Sequence, residues 1–115
     1  DENLVEASAT KGEDFLRRLR PLEDHPHVRE VRGLGLMIGI ELVRDKADGE
    51  PYGPTDGMAG QVVAEALRRG VWVYPAGDGS VPDALLIGPP FTITEAEMDT
   101  VVVVLGEAIS AVCGD

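Results

Sequence analysis

Residues 28–43 read VREVRGLGLMIGIELV, two short apolar stretches hinged on Gly33 and Gly35. Strand side chains alternate with period two, so Leu36, Ile38, Ile40 and Leu42 point one way. Met37, Gly39, Glu41 and Val43 point the other. Both faces are largely apolar, which predicts a central strand covered on both sides. The single carboxylate in that stretch, Glu41, must lie at an edge or be paired, because an unpaired buried charge is costly.

The flanking segments complete a mixed pattern. Residues 2–20 carry Leu4, Ser8, Gly12, Phe15, Leu16 and Leu19 on one stripe, the signature of an amphipathic helix. Pro21 ends it and opens a loop to His27. Gly12 weakens the middle by about 1 kcal/mol relative to alanine, so either a close helix contact requires it or the first turns fray. After the turn-rich connection Asp45–Thr55, Thr55 or Asp56 can cap a second helix running to Arg69. Its inner face is Met58, Val62, Val63, Ala66 and Leu67. Short strands follow at Val71–Tyr74, ended by Pro75, and at Ala84–Gly88, ended by a proline pair.

Thr94 and Glu97 have the spacing of a capping box. The helix beyond them turns Met98, Val101, Val102, Leu105, Ala108, Ile109 and Val112 inward. The predicted order is α-β-β-α-β-β-α. That is an α+β fold: a small, mainly antiparallel sheet of three to four strands with helices packed on it.

A chain of 115 residues with 43% hydrophobic and 27% charged side chains suits one globular domain, residues 1–115. A net charge of −11 repels phosphate backbones and argues against nucleic-acid partners. No apolar run has the length of a membrane span and the first residues lack a signal-peptide layout. Cys113 is the only cysteine, so no disulfide framework exists, and a reducing, cytoplasmic setting is expected.

Several clusters invite chemical readings. Gly33, Gly35 and Gly39 have a dinucleotide-like look, but that motif opens a helix, whereas an apolar strand follows here. His25 and His27 flank Pro26, and two histidines are too few ligands for a metal, so none is assigned.

In order along the chain, His25–Pro26, RGLGLM at Arg32–Met37, GIELV at Gly39–Val43, RRGVWVYP at Arg68–Pro75 and IGPPFTITEAEMD at Ile87–Asp99 form a connected set. With these motifs the chain resembles the C-terminal small domain of class III, ω-aminotransferase-like enzymes that use pyridoxal 5'-phosphate (PLP). The resemblance implies the small domain of PLP fold type I, a large PLP-binding domain outside these residues, and a homodimer. It also implies transfer of an amino group from an amine or ω-amino acid to a 2-oxo acid.

Such an enzyme needs a lysine amine to hold the cofactor covalently. Only Lys11, on the polar side of the first helix, and Lys46, in an acidic turn, are available. Neither matches the family's lysine motif. The chain alone is therefore expected to be inactive, with no catalytic or cofactor-binding residue and no bound PLP of its own.

Relatives that take amino acids clamp a carboxylate with an arginine, whose planar fork suits it. The resemblance places that arginine, in different groups, at Leu86, at Tyr74 or in the loop Ala76–Asp83. This chain has an arginine at none of them. Tyr74 and Leu86 remain as substrate-side candidates. Arg32 is a third, either touching substrate or pairing with Glu41 or with a carboxylate of the large domain. The competing reading is a stand-alone α+β module that binds an amino acid or dimerises through its sheet; the absence of clustered polar ligand-binding residues speaks against it.

Overall fold

The computed structural model describes residues 2–34, 37–44, 46, 57–76, 83–88 and 93–114. Helix α1 (Glu2–Leu19) passes into a 3-10 turn (Arg20–Asp24), then β1 (Val28–Leu34) and β2 (Met37–Leu42). Helix α2 (Met58–Arg68), β3 (Tyr74–Ala76), β4 (Ala84–Ile87) and α3 (Glu95–Cys113) complete the α+β order. The four strands form one antiparallel sheet in the order β1-β2-β4-β3, which makes β2 an inner strand.

One row of the sheet, Val31–Ile40–Leu85, is fully buried. With Ile38, Leu42 and Ile87 it packs under Phe15 and Leu19 of α1, Val62 and Ala66 of α2, and Met98, Leu105, Ala108 and Ile109 of α3. All three helices thus cover the same face. At about 25 cal/mol per Å² of apolar surface, that burial is the main stabilising term. The capping box is present: Thr94 Oγ1 accepts the Glu97 amide at 3.1 Å, and Glu97 returns the contact to the Thr94 amide at 3.0 Å. Four consecutive valines at 101–104 stay helical because this cap and the buried stripe outweigh their strand propensity.

Several expectations need correction. Among the described residues the helices lie on one face of β2 only. On the other face Gly39 and Val43 are buried, Met37, Glu41 and Leu86 are half-buried and Tyr74 is exposed.

The third strand lies at Tyr74–Ala76 instead of Val71–Tyr74 and runs through Pro75. Its edge position explains this, since an outer strand does not require every amide to donate into a ladder. The loop expected from Pro21 contains the 3-10 turn, which buries Leu22.

Helix α2 begins at Met58 with Gly57 before it in a left-handed conformation and no local side-chain cap. Thr55 and Asp56, expected as caps, lie outside the described residues, as do Gly35 and Leu36. Leu67 faces solvent and Ala59 takes its place in the core, because the buried stripe is the narrower set Ala59, Val62 and Ala66. Gly12 makes no close contact: a β-carbon there would meet nothing within 4 Å.

Candidate functional site

The ladder register decides which candidate residues meet. Arg32 lies opposite Gly39, Gly39 opposite Leu86, and Leu86 opposite Tyr74. All four therefore belong to one transverse row on the face that, among the described residues, carries no helices. Neighbouring strands are about 4.8 Å apart, so Tyr74 and Leu86 touch while Arg32 stands roughly 14 Å from Tyr74, across three strand steps. The sheet brings two of the three candidates together and leaves the third at the far rim.

Arg32 does not pair with Glu41. Its guanidinium is 3.5 Å from Glu30, both side chains about half exposed, so the contact is a weak surface pair. Glu41 instead accepts from Arg29 at 3.0 Å and keeps only 13% of its side chain exposed. The register of β1 shifts between Val28 and Glu30, and that irregularity at Arg29 brings its side chain to Glu41. Alternation alone cannot reveal a shift of this kind.

Around Tyr74 the surface is apolar and aromatic. Trp72, 62% exposed, meets the Tyr74 ring edge-on, with centroids 6.1 Å apart and planes at 80°. Beside them, where β4 ends and α3 begins, is a hollow of about 190 Å³ walled by Phe15, Trp72, Tyr74, Leu86, Ile93 and Val101. Among the described residues no charged side chain lines it. Gly88, at its edge, lets Met37 pack closely: a β-carbon there would stand 2.9 Å from the methionine sulfur. Trp72 and Phe15 were not identified as site residues from sequence. Phe15 carries an ordinary core pattern, and Trp72 lies just before β3 with no signal of its own.

Both lysines are engaged with backbone. Lys11 Nζ donates to the Ile93 carbonyl at 2.9 Å, tying α1 to the entry of α3, and Lys46 donates to the Glu23 carbonyl. No anion cradle accompanies either amine among the described residues, so the residues present do not fit a covalently held PLP. Arg18 joins Asp14, Glu95 at 3.0 Å and Asp99 at 2.6 Å, clamping α1 to α3; the Asp99 bond foremost, with Asp14, raises its already high pKa.

The histidines are structural. His27 donates its amide to His25 Nδ1 at 3.1 Å, which leaves His25 Nε2 to donate to Ser110 Oγ at 2.9 Å. His27 Nδ1 donates to the Val43 carbonyl at 3.1 Å. Cys113, half-buried, packs against the core.

Comparison with known proteins places this geometry. The chain is 40% identical over 112 residues to an adenosylmethionine-8-amino-7-oxononanoate aminotransferase of Nitratidesulfovibrio vulgaris, covering 97% of this chain and 20% of that protein. It superposes on the crystal structure of a thermostable (S)-enantioselective omega-transaminase from Thermomicrobium roseum with a TM-score of 0.82 and 39% identity, covering 96% of this chain and 24% of that one. A PMP-bound aminotransferase from Vibrio fluvialis gives a TM-score of 0.81 at 28% identity, over 97% and 24% of the two chains. The chain thus spans about a fifth to a quarter of the length of these relatives. The family model for class-III aminotransferases matches residues 1–109. The chain belongs to the class-III aminotransferase family.

Proposed function

We propose that these residues form the small domain of a PLP-dependent aminotransferase that moves an amino group from an amine or ω-amino acid to a 2-oxo acid. The observation that carries this reading is the Leu86–Tyr74 pair on the sheet face opposite the described helices, in a chain of this family. That half-buried apolar face is suited to close one wall of a substrate cleft against a large domain outside these residues. PLP, held by that domain, supplies the electrophile and electron sink for amino transfer. Leu86 and Tyr74 orient the donor and exclude water, while Arg32, at the rim, faces a carboxylate of the large domain or of the acceptor.

No residue of this chain takes a catalytic or cofactor-binding role. Engagement of both lysine amines with backbone carbonyls supports a cofactor lysine elsewhere in the protein. The intact enzyme is a cytoplasmic homodimer acting on small molecules, with no nucleic-acid or membrane partner. Among the described residues no helix is long and apolar enough to cross a membrane.

The test is to load the intact protein with PLP, fix the cofactor with borohydride and map the modified lysine. The expected result is transamination between an amine and a 2-oxo acid, with the label outside residues 1–115. A label on Lys11 or Lys46, or no transamination, overturns the reading.

A further inference from the structure

We propose that Lys11 and Arg18 are positioning residues. From α1 they hold the front end of α3, and so fix how far Ile93 and Val101 stand from Phe15. The inference rests on the aminotransferase reading, in which this part of the chain closes a substrate cleft. It adds to that reading two cations that touch no substrate.

The first contact lies at the entry to α3. The ladder of the helix starts with the Met98 amide donating to the Thr94 carbonyl at 2.9 Å, so the Ile93 carbonyl falls just outside it. Lys11 Nζ donates to that carbonyl at 2.9 Å. The second contact lies two turns along α1, about 10.5 Å further on. There both carboxylate oxygens of Asp14 accept from Arg18 Nε at 3.3 Å, which leaves the two terminal nitrogens of the guanidinium for α3. Those nitrogens donate to Asp99 at 2.6 Å and to Glu95 at 3.0 Å, acids one turn apart. Phe15, on α1 between the two cations, shares the walls of one hollow with Ile93 and Val101.

Packing explains why charge decides the position of this end. Of the buried side chains of α3, only Met98 belongs to the first two turns, whereas Leu105, Ala108 and Ile109 belong to the rear half. Apolar burial thus fixes the rear of the helix under the sheet, and the front depends on Lys11 and Arg18. Arg18 keeps 22% of its side chain exposed, while Glu95 and Asp99 keep 79% and 64%, so salt screens these pairs. When they weaken, the front of α3 shifts and the core stays intact.

The experiment uses the intact, PLP-loaded enzyme, with 1-phenylethylamine and 4-aminobutyrate as donors and pyruvate as acceptor. Arg18→Met and Lys11→Met are each expected to raise the donor KM by up to about fivefold, the ceiling set by exposed ion pairs, at nearly unchanged kcat. Lys11→Arg, still able to donate to Ile93, is expected to stay close to wild type. Added salt should reproduce the rise in the wild type and have less effect on Arg18→Met. Arg69→Met is the control, because it removes the Arg69–Glu107 pair at the rear of α3 and should leave KM unchanged.

Hydrogen exchange read by mass spectrometry reports the same staple without turnover. Amides of residues 93–99 are expected to exchange faster in both methionine variants, with residues 105–109 at wild-type rates. Unchanged exchange at 93–99, equal losses in kcat and in affinity for the donor, or the same effect from Arg69→Met would overturn the positioning role and leave the staple as a stabilising contact. Failure of both donors to transaminate would overturn the enzymatic reading, and exchange alone would then decide whether the two cations hold α3.

Discussion

Asp83 Oδ2 accepts the backbone amide of Met58 at 3.2 Å, so helix α2 is capped from a residue 25 positions away at the entry of β4. The Asp83 carbonyl also accepts the Leu42 amide at 2.8 Å, joining the end of β2 to the same point. With Gly57 before the helix and no local side-chain cap, this carboxylate does the work normally given to Ser, Thr or Asp. Asp83→Ala is expected to cost about 1 kcal/mol in denaturant unfolding, and Asp83→Asn well under half of that. Equal losses for the two would assign the effect to charge and not to the cap.

Gly12 sits in α1 with open space where a side chain would go. Gly12→Ala is therefore expected to stabilise the protein by about 0.5–1 kcal/mol, through helix propensity and a restricted unfolded chain. A rise in the urea midpoint at unchanged slope is the signature. A fall would mean that the glycine serves a contact.

The core assignment separates two leucines. Leu105 is fully buried under the sheet whereas Leu67 is 49% exposed. Leu105→Ala is expected to cost about 2–5 kcal/mol, the range for an internal cavity. Leu67→Ala should stay within about 0.5 kcal/mol. Thermal unfolding of both variants decides whether the narrow stripe Ala59–Val62–Ala66 is the true inner face of α2.

Acid should loosen the helix ends in a defined direction. Hydrogen bonds from the Thr94 backbone and then its side chain hold Glu97 below the usual glutamate range. The hydrogen bond from Arg69 does the same for Glu65. A carboxyl group whose folded pKa is depressed contributes stability that is complete above its unfolded value and is lost as pH falls through the folded one. Unfolding midpoints should therefore be flat above about pH 5 and decline toward pH 3. Glu97→Gln keeps the capping geometry and should shallow that decline, as read from denaturation curves across the window. An unchanged slope in the variant would remove Glu97 from the account.

Much of this architecture is legible in residues 28–43 and in the caps. Ile38, Ile40 and Leu42 alternate cleanly, and the Thr94–Glu97 box marks the start of α3 to the residue, because both signals are local. Three features are not local. The irregularity at Arg29 redirects a salt bridge from Arg32, Asp83 caps a helix remote in sequence, and Pro75 joins a strand only because β3 occupies the sheet edge. Tyr74 and Leu86 were chosen by resemblance, and the ladder then places them opposite each other. Trp72 passed unnoticed because an exposed aromatic residue carries no periodic signal.

The two rims of the sheet share a feature with consequences for handling the protein. On β1 the Val31 amide is taken by Glu23 Oε2 at 2.8 Å, and on β3 the middle residue is a proline with no amide hydrogen to give. Unpaired strand borders recruit foreign strands and seed insoluble assemblies. Here each border lacks the donor that the next strand would need at its centre. Extension of the sheet by a foreign strand is thereby disfavoured at the middle of both borders.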